Sequence, residues 1–361
     1  WEIGKTGPAI TDTHVPCGYW FKGPAPVTAP TPVTAPTPVT APTFTAPGVG
    51  VSCIATSADG QFVTIGTTDY TYSGSFTILR SIDYGEHWTT ITTTGITPGN
   101  TASILDVAMS SDGMYQTVIV QADIRYIFVS SNYGVSWTYV SSVIGINLQC
   151  VAMTSNGKDQ VVFGMNSATW SYVSSDYGAT WSGDNNADLP DNSSSGYHFA
   201  MSADGVYRIV ALWYTGLYIS SDSGANWTLA LSLASYRGKV AISADGKYQI
   251  VVMTTGTANG TIYVSSDFGA NWVQRVVTHD WDDVAMSADG KYQIAVHGDA
   301  TIGLDAGVFL SSDYGASWTL VLAIPGVSEM CVAMDATGSI QYTDSMYASY
   351  DYGATWDDGV T

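Results

Sequence analysis

One eight-residue motif recurs along most of this chain. Its form is S-x-D-x-G-x-x-W, and successive copies lie 38 to 49 residues apart. The residues at the acidic position are Asp83, Asn132, Asp176, Asp222, Asp267, Asp313 and Asp351. A period of this length predicts an array of similar modules, which we number one to seven in chain order, rather than one unrepeated core.

A second turn motif precedes each copy of the first. It reads SADG in four repeats, with variants SSDG, TSNG and DATG in the others. The residues at its acidic position are Asp59, Asp112, Asn156, Asp204, Asp245, Asp289 and Thr337. The runs between the turns, such as KVAIS, YQIVVMT, TIYVSS and NWVQRVV, have strand length and strand composition. Four strands in each of seven repeats predict an all-β, seven-bladed β-propeller over residues 51–361.

The eight-residue motif resembles the Asp-box, or bacterial neuraminidase repeat, of sialidases and many other secreted propellers. The resemblance implies that each copy forms the turn between the third and fourth strands of a blade and is structural. The residue types agree, because aspartate can accept turn N–H groups, glycine takes a positive φ and tryptophan packs between sheets. We therefore expect none of the Asp-box acids to be catalytic.

Sialidase activity is disfavoured by what the sequence lacks. Sialidases in the family use an arginine triad, a Tyr–Glu pair and an Arg-Ile-Pro motif. No Arg-Ile-Pro string occurs here, and there are only five arginines and three glutamates. A glycoside hydrolase using two aspartates remains an alternative, with Asp106 and Asp283, or Asp299 and Asp305, as its acid pair.

The charge balance excludes several partners. The 361 residues hold 31 acidic and 11 basic side chains, so the net charge is −20. Such a surface repels nucleic acid and anionic membranes, and no apolar run approaches the ~20 residues of a membrane span. Abundant Gly, Tyr and Trp with little Lys favour a location outside the cell or on a virion or cell surface.

One register along the repeats predicts a polar ring. The SADG-type turn is the first turn of each repeat. The residue seven places before its glycine should lie on the innermost strand. These residues are Cys53, Asp106, Cys150, His198, Lys239, Asp283 and Cys331. They indicate either a solvated mouth of the central channel or a ligand or metal site.

The loops of repeat six add further candidates. Two histidines and several carboxylates there fit a divalent cation, with Ca²⁺ considered and His279, Asp283, His297 and Asp299 as ligands. A separate calcium-loop start at Asp184 is weak, since Leu189 stands where glycine is expected. The ligand-binding candidates are His198, Trp213, Tyr214, Tyr236, Arg237, Lys239, His279, Trp281, Asp283, His297 and Asp299.

The N-terminal region differs from the repeats. Residues 1–23 form a mixed aromatic arm segment, and residues 24–50 form a Pro/Thr-rich linker with three copies of PVTAPT. This composition predicts a polyproline II helix with threonine along one edge, either a docking arm or a flexible spacer. The predicted glycosylation sites are Thr28, Thr31, Thr34, Thr37, Thr40, Thr43, Asn192 and Asn259.

Four cysteines leave three pairings open. Cys53 and Cys331 share a register in the first and last repeats, which must be neighbours in a closed ring. We predict a disulfide between them that closes the propeller, leaving Cys17 and Cys150 unassigned.

Two functions are consistent with these features. The first is a non-catalytic extracellular structural or adhesive subunit that assembles with copies of itself into a fibre or coat through residues 1–50. The alternative is a carbohydrate-binding or glycoside-hydrolase propeller that acts through the loops opposite the Asp-box turns.

Overall fold

A computed structural model describes residues 49–69, 75–94, 102–140, 147–165, 171–184, 189, 197–213, 215–232, 237–254, 260–275, 279–298, 306–325, 330–344 and 347–357. The chain divides into residues 1–35 and residues 36–361, and all described residues belong to the second part. They contain strands and turns only, and no helix long and apolar enough to cross a membrane.

The described residues form 27 strands, numbered here in chain order. They are β1 Val49–Thr56, β2 Val63–Asp69, β3 Ser75–Ser81, β4 Thr89–Thr94, β5 Ala102–Met109, β6 Gln116–Gln121, β7 Arg125–Ser130, β8 Thr138–Val140, β9 Asn147–Met153, β10 Gln160–Met165, β11 Ser171–Ser174, β12 Ser182–Asp184, β13 Tyr197–Met201, β14 Arg208–Leu212, β15 Gly216–Ser220, β16 Thr228–Ser232, β17 Arg237–Ile242, β18 Gln249–Thr254, β19 Ile262–Ser265, β20 Val273–Arg275, β21 Asp283–Met286, β22 Gln293–His297, β23 Gly307–Ser311, β24 Thr319–Ala323, β25 Val332–Met334, β26 Gln341–Thr343 and β27 Ala348–Ser349.

Each repeat folds into its own antiparallel meander. Repeats three to six are four-stranded sheets, and repeats one and two share an eight-stranded sheet because β2 also pairs with β5. Repeat seven has three strands, and a single bridge between Ala348 and Asp357 takes the place of its fourth strand. The first strands of successive repeats lie side by side, and β1 contacts both β5 and β25. This circular neighbourhood confirms the all-β propeller.

A circle of backbone hydrogen bonds joins the first turns of all seven repeats. Each turn donates an N–H to the carbonyl of the next repeat, as Ala58 does to Ser111 at 2.9 Å and Ser155 does to Ala203 at 2.8 Å. The last turn completes the circle, since the N–H of Ala336 donates to the carbonyl of Ala58 at 2.9 Å. The seam between repeats seven and one therefore has the same backbone link as every other junction.

Side chains also close that seam. Ile340 of repeat seven packs against Val63, Ile65 and Leu79 of repeat one. The hydroxyl of Tyr350 donates to the carbonyl of Tyr84 at 2.9 Å. Burial of apolar side chains of this size contributes roughly 1.5–3 kcal/mol each, so the seam is an ordinary packed interface.

The predicted disulfide between Cys53 and Cys331 is wrong. Both residues, and Cys150, are free thiols in the structure. The reason is direction: the Cys53 sulfur points into repeat two, where it lies 3.8 Å from the carbonyl oxygen of Ile104, rather than towards repeat seven. Hydrogen bonds and packing close the ring instead.

The Asp-box turns use their acids for structure. In repeat three the Ser174 hydroxyl donates to Asp176 Oδ1 at 2.8 Å, and the N–H of Thr180 donates to the same oxygen at 2.8 Å. The indole Nε1 of Trp181 donates to the carbonyl of Gly178 at 2.8 Å. The same serine-to-acid bond, or its Asn132 equivalent, occurs in all seven turns.

The two kinds of turn lie at one end of the propeller, which we call the Asp-box end. The N–H of the residue after each Asp-box acid donates to a carbonyl of the first turn of its own repeat, as Tyr177 does to Lys158 at 3.0 Å. The first turn of repeat seven differs from the others, because its acid stands two places earlier in the motif, at Asp335. Asp335 takes over the serine role there, accepting the N–H of Ile340 at 2.8 Å and the hydroxyl of Thr337 at 2.6 Å.

A belt of buried glutamines runs between the repeats near this end. The side-chain N–H of Gln116 donates to the carbonyl of Gly113, and its Oε1 accepts the hydroxyl of Thr64 from the preceding repeat at 2.8 Å. Gln160 accepts from Thr117 in the same way. In the repeats that precede the later glutamines, the position equivalent to Thr64 and Thr117 holds an isoleucine. These residues are Ile209, Ile250 and Ile294. Their absent hydroxyls leave Oε1 of Gln249, Gln293 and Gln341 buried without a partner.

Candidate binding site in the central channel

The register predicted from the repeats does converge on the propeller axis. A cavity of about 510 Å³ is lined by five of its seven members: Asp106, His198, Lys239, Asp283 and Cys331. Thr68 and Thr254, at the ends of second strands away from the turns, line it as well. The cavity, which we call the central pocket, therefore lies towards the end opposite the Asp-box turns.

The two aspartates of the register are anchored by backbone. Asp106 Oδ2 accepts the N–H of Val151 in the next repeat at 2.8 Å, and its Oδ1 accepts the N–H of Val107 at 2.9 Å. Asp283 Oδ2 accepts the N–H of Val332 in the next repeat at 3.1 Å. An innermost strand has no further strand to receive these N–H groups, so the carboxylates satisfy them.

His198 performs the same task in repeat four. Its Nδ1 accepts the N–H of Val240 in the next repeat at 3.2 Å. Burial and the neighbouring charge of Lys239 hold the pKa of His198 well below its usual value, so the ring is neutral and able to accept. Acceptors thus stand in repeats two, four and six, and each stitches its repeat to the following one.

Lys239 has no such structural task. It lines the central pocket, is partly buried, and makes no hydrogen bond or ion pair with the described residues. Burial opposes its charge, but the carboxylates of Asp283 and Asp106 outweigh burial and hold the pKa of Lys239 above its usual value. The pocket therefore contains a charged ammonium group that its described walls do not bind.

The acids respond to the same environment. Burial raises the pKa of Asp106 to about 6, although the N–H of Val151 and the charge of Lys239 oppose that rise. Burial also raises the pKa of Asp283, again against Lys239. Each carboxylate is thus held on the axis at a desolvation cost, and one ammonium group partly offsets both.

The three described cysteines are inert rather than reactive. Burial raises the pKa of Cys53, Cys150 and Cys331 above the usual thiol range, and the charge of Asp106 adds to the rise for Cys53 and Cys150. A thiol that stays protonated is a poor nucleophile.

The aromatic candidates of repeat six belong to the core. Trp281 is 1% exposed and packs with Ile262, Val284 and Phe309, so it offers no face on which a sugar could stack. His279 lies edge-to-face with Trp281 at 5.4 Å, and its ring centre lies 4.9 Å from that of His297. His297 is buried, with Nδ1 2.6 Å from the carbonyl oxygen of Asp280.

The predicted cation ligands do not come together among the described residues. His279 and His297 pack in this aromatic cluster, whereas Asp283 is bonded to Val332 on the axis. Asp299 lies outside the described residues. Within the described ranges, the three-ligand group that does form is Asp83, Glu86 and His87, whose ligand atoms lie within 4.8 Å of one another at the Asp-box end.

Several candidates lie where the structure gives no side chain. Arg237 begins β17, but its side chain is outside the described part, as are Tyr214 and Tyr236. The glycosylation candidates Thr28, Thr31, Thr34, Thr37, Thr40, Thr43, Asn192 and Asn259 lie outside the described residues as well. Trp213 is described and lines the central pocket.

Sequence reasoning missed other residues of the pocket. Asp282 and Asp344 line it without belonging to the register, and Ser52 and Gln149 do so one place before register positions. The signal for Ser52, Gln149 and Asp282 was adjacency to the register, since neighbours of an axial residue also approach the axis. Asp344 carried no repeat signal, because it follows β26 at the far end of the last repeat.

Comparison with known proteins agrees with this architecture. The family model of the BNR-Asp box repeat matches residues 262–275. Among solved structures, the chain resembles YCF48 from Cyanidioschyzon merolae, with 14% identity, a TM-score of 0.55 and coverage of 88% of this chain and 96% of that one. It also resembles the β-propeller domain of Cps50 (Swd1) from Myceliophteria thermophila, with 11% identity, a TM-score of 0.54 and coverage of 82% and 95%.

A third similar structure is YCF48 bound to D1 peptide, with 14% identity, a TM-score of 0.50 and coverage of 88% and 92%. Identities this low show the fold and nothing finer. By sequence, no curated protein matches the chain. Repeat motif, sheet arrangement and structural likeness together identify the chain as an Asp-box β-propeller.

Proposed function

We propose that this chain is a non-catalytic structural or adhesive subunit of an extracellular surface, such as a fibre or coat. The observation that carries the proposal is how the axial acids are used. Asp106 and Asp283, one of the two acid pairs considered for a glycoside hydrolase, each accept a backbone N–H from the next repeat and so hold the ring together. The other pair, Asp299 and Asp305, lies outside the described residues. A rigid ring with anchored acids suits presentation and binding rather than proton transfer.

The distribution of charge supports assembly through residues 1–50. That region holds two basic and two acidic side chains, Lys5, Lys22, Glu2 and Asp12, so the net charge of −20 falls on residues 51–361. Propellers of equal charge repel one another, whereas a neutral arm approaches a neighbouring copy without that barrier. Residues 1–50 are therefore the part of the chain best suited to join copies.

Light scattering on the full chain tests this assembly. We expect multimers whose mass falls to that of a monomer when residues 1–23 are replaced by a Gly/Ser sequence of equal length. The control is Val135→Ser, which changes an exposed side chain in an Asp-box turn outside residues 1–50 and should leave the multimer intact. A full chain that is monomeric at all concentrations would reject the proposal.

Composition supports the external location. Abundant Gly, Tyr and Trp with few Lys are typical of secreted β-proteins, and the neutral Pro/Thr repeats suit O-glycosylation. Mass spectrometry of the protein from its native source tests this part. Hexose-bearing Thr28 to Thr43 peptides would support it, and unmodified peptides throughout would count against it.

A further inference from the structure

The polar members of the axial register differ in how they are used. Asp106, His198 and Asp283 each receive a backbone N–H from the following repeat. Lys239 forms no hydrogen bond or ion pair with the described residues, yet it lines the same pocket. The structural role that explains the acceptors therefore does not explain the lysine.

The side chain of Lys239 is partly buried, and its ammonium group has three donors that need acceptors. The carboxylates of Asp283 and Asp106 act on it electrostatically, although neither forms an ion pair with it. Each carboxylate has about four acceptor positions, and the backbone uses only part of them. The pocket thus offers one strong donor and two oriented acceptors facing a common space.

The shape and lining of that space suit a small molecule. A volume of about 510 Å³ lies within the roughly 300–1,000 Å³ usual for such sites. Trp213, Leu105 and Met330 supply apolar wall, and the hydroxyls of Thr68 and Ser103 lie 2.8 Å apart on one side. Polar groups alternate with apolar surface around the cavity.

We infer that the central pocket binds a neutral polyhydroxylated ligand, a saccharide, whose hydroxyl oxygen accepts from Lys239 while other hydroxyls donate to Asp106 and Asp283. A hydroxyl both donates and accepts, so one ligand class satisfies the ammonium and the carboxylates together. This rests on the adhesive part of the proposed function, for which it names the ligand.

Charge disfavours the other ligand classes. An anionic ligand would meet Asp106, Asp282, Asp283 and Asp344, all of which line the pocket. A ligand whose polar groups are all ammonium groups could bind the carboxylates but offers no acceptor to the three donors of Lys239. A neutral polyol meets neither obstacle.

Binding of the full chain to an array of neutral, carboxylated and amino-bearing oligosaccharides tests the inference. We expect at least one neutral glycan to bind, and Lys239→Met to weaken its binding by about tenfold or more. The control is Lys247→Met, since Lys247 lies at the Asp-box end over the ring of Tyr248, and this variant should bind normally.

Folding is checked separately from binding. Thermal unfolding of each variant shows whether the ring is intact. If Lys239→Met does not fold, Lys239→Arg, which keeps the charge, replaces it and should retain part of the affinity for the glycan. The inference is overturned if no neutral glycan binds, if charged glycans bind more strongly than neutral ones, or if Lys239→Met binds as tightly as wild type.

The two proposals fail independently. Assembly through residues 1–50 is read by light scattering and should not change in Lys239→Met. A full chain that forms multimers but binds no neutral glycan would contradict the saccharide inference alone, and a full chain that binds a neutral glycan but stays monomeric would contradict assembly alone.

Discussion

At the residue scale, buried polar atoms show where neighbouring repeats match and where they do not. Gln116 and Gln160 have both ends of the amide satisfied, because a threonine of the preceding repeat donates to Oε1. Gln293 lacks that donor and has Ile250 at the equivalent place. An unsatisfied buried acceptor costs about 1–3 kcal/mol, so these sites are sensitive to a single hydroxyl.

The isosteric pair Ile250→Thr and Ile250→Val measures that hydroxyl. Threonine in an apolar core is normally less stable than valine. Here we expect Ile250→Thr to be more stable than Ile250→Val by about 1 kcal/mol, because its hydroxyl can donate to Gln293 Oε1. Chemical denaturation provides the free energies of unfolding. The reciprocal change, Thr64→Val, should destabilise by about 1–2 kcal/mol, and a stable Thr64→Val would contradict the account.

Asp106 predicts a pH dependence of stability. Its pKa of about 6 in the fold exceeds the value of about 3.9 in an unfolded chain. The folded state therefore binds the proton more tightly, and the stabilisation is complete below about pH 4 and is lost as pH rises through 6. Relative to the non-titrating variant Asp106→Asn, the wild-type free energy of unfolding should fall by up to about 3 kcal/mol between pH 4 and pH 7.

Urea unfolding at several pH values measures this difference. The variant keeps an oxygen that can accept the N–H of Val151, so the comparison isolates the charge. The difference in free energy of unfolding between wild type and Asp106→Asn could instead stay constant, or grow in favour of wild type towards pH 7. Either result would show that the fold does not raise the pKa of Asp106.

At the scale of the element, the Asp-box turn combines strain with compensation. The residue after each acid has φ between 60° and 62°, in the left-handed region, and none of the seven is glycine. Six of these residues are aromatic, and five of the six stack on an aromatic of the preceding repeat, as Tyr177 does on Tyr115 at 4.4 Å. Ser223 has Asp159 at the equivalent place and no such stack.

This difference predicts opposite effects of the same substitution. Glycine removes the backbone strain of about 1 kcal/mol at either position. Ser223→Gly should therefore be neutral or stabilising by up to about 1 kcal/mol, whereas Tyr177→Gly should destabilise by about 1–2 kcal/mol through loss of the stack. Thermal midpoints of the two variants suffice, and destabilisation by Ser223→Gly would contradict the reading.

The elements were largely predictable from sequence, and the pocket only in part. Because the turn motifs repeat together with the strands, counting back from each turn correctly predicted that Asp106, Lys239 and Asp283 lie on the axis. The direction of a side chain was not predictable from register alone, which is why Cys53 faces repeat two. Trp281 lines the pocket, but its sequence position in a loop between strands did not show that the indole is buried in the core between two sheets.

At the scale of the whole molecule, the free thiols yield a prediction about closure. Because Cys53 and Cys150 are buried, Cys331 is half-buried, and the pKa values of all three thiols are raised, the native chain should be alkylated slowly at all three. The same sites should react fully in denaturant without prior reduction. Peptide mass spectrometry of the labelled chain distinguishes this from a disulfide, which would leave Cys53 and Cys331 unlabelled until reduced.

The circle of turn hydrogen bonds passes from Ala336 to Ala58 as it passes every other junction. Nothing in that geometry marks repeat one as a beginning. Circularly permuted chains, opened between two other repeats and joined by a short linker from residue 357 to residue 49, should therefore recover the same ring. The ring itself therefore does not fix which repeat must carry the ends of the chain.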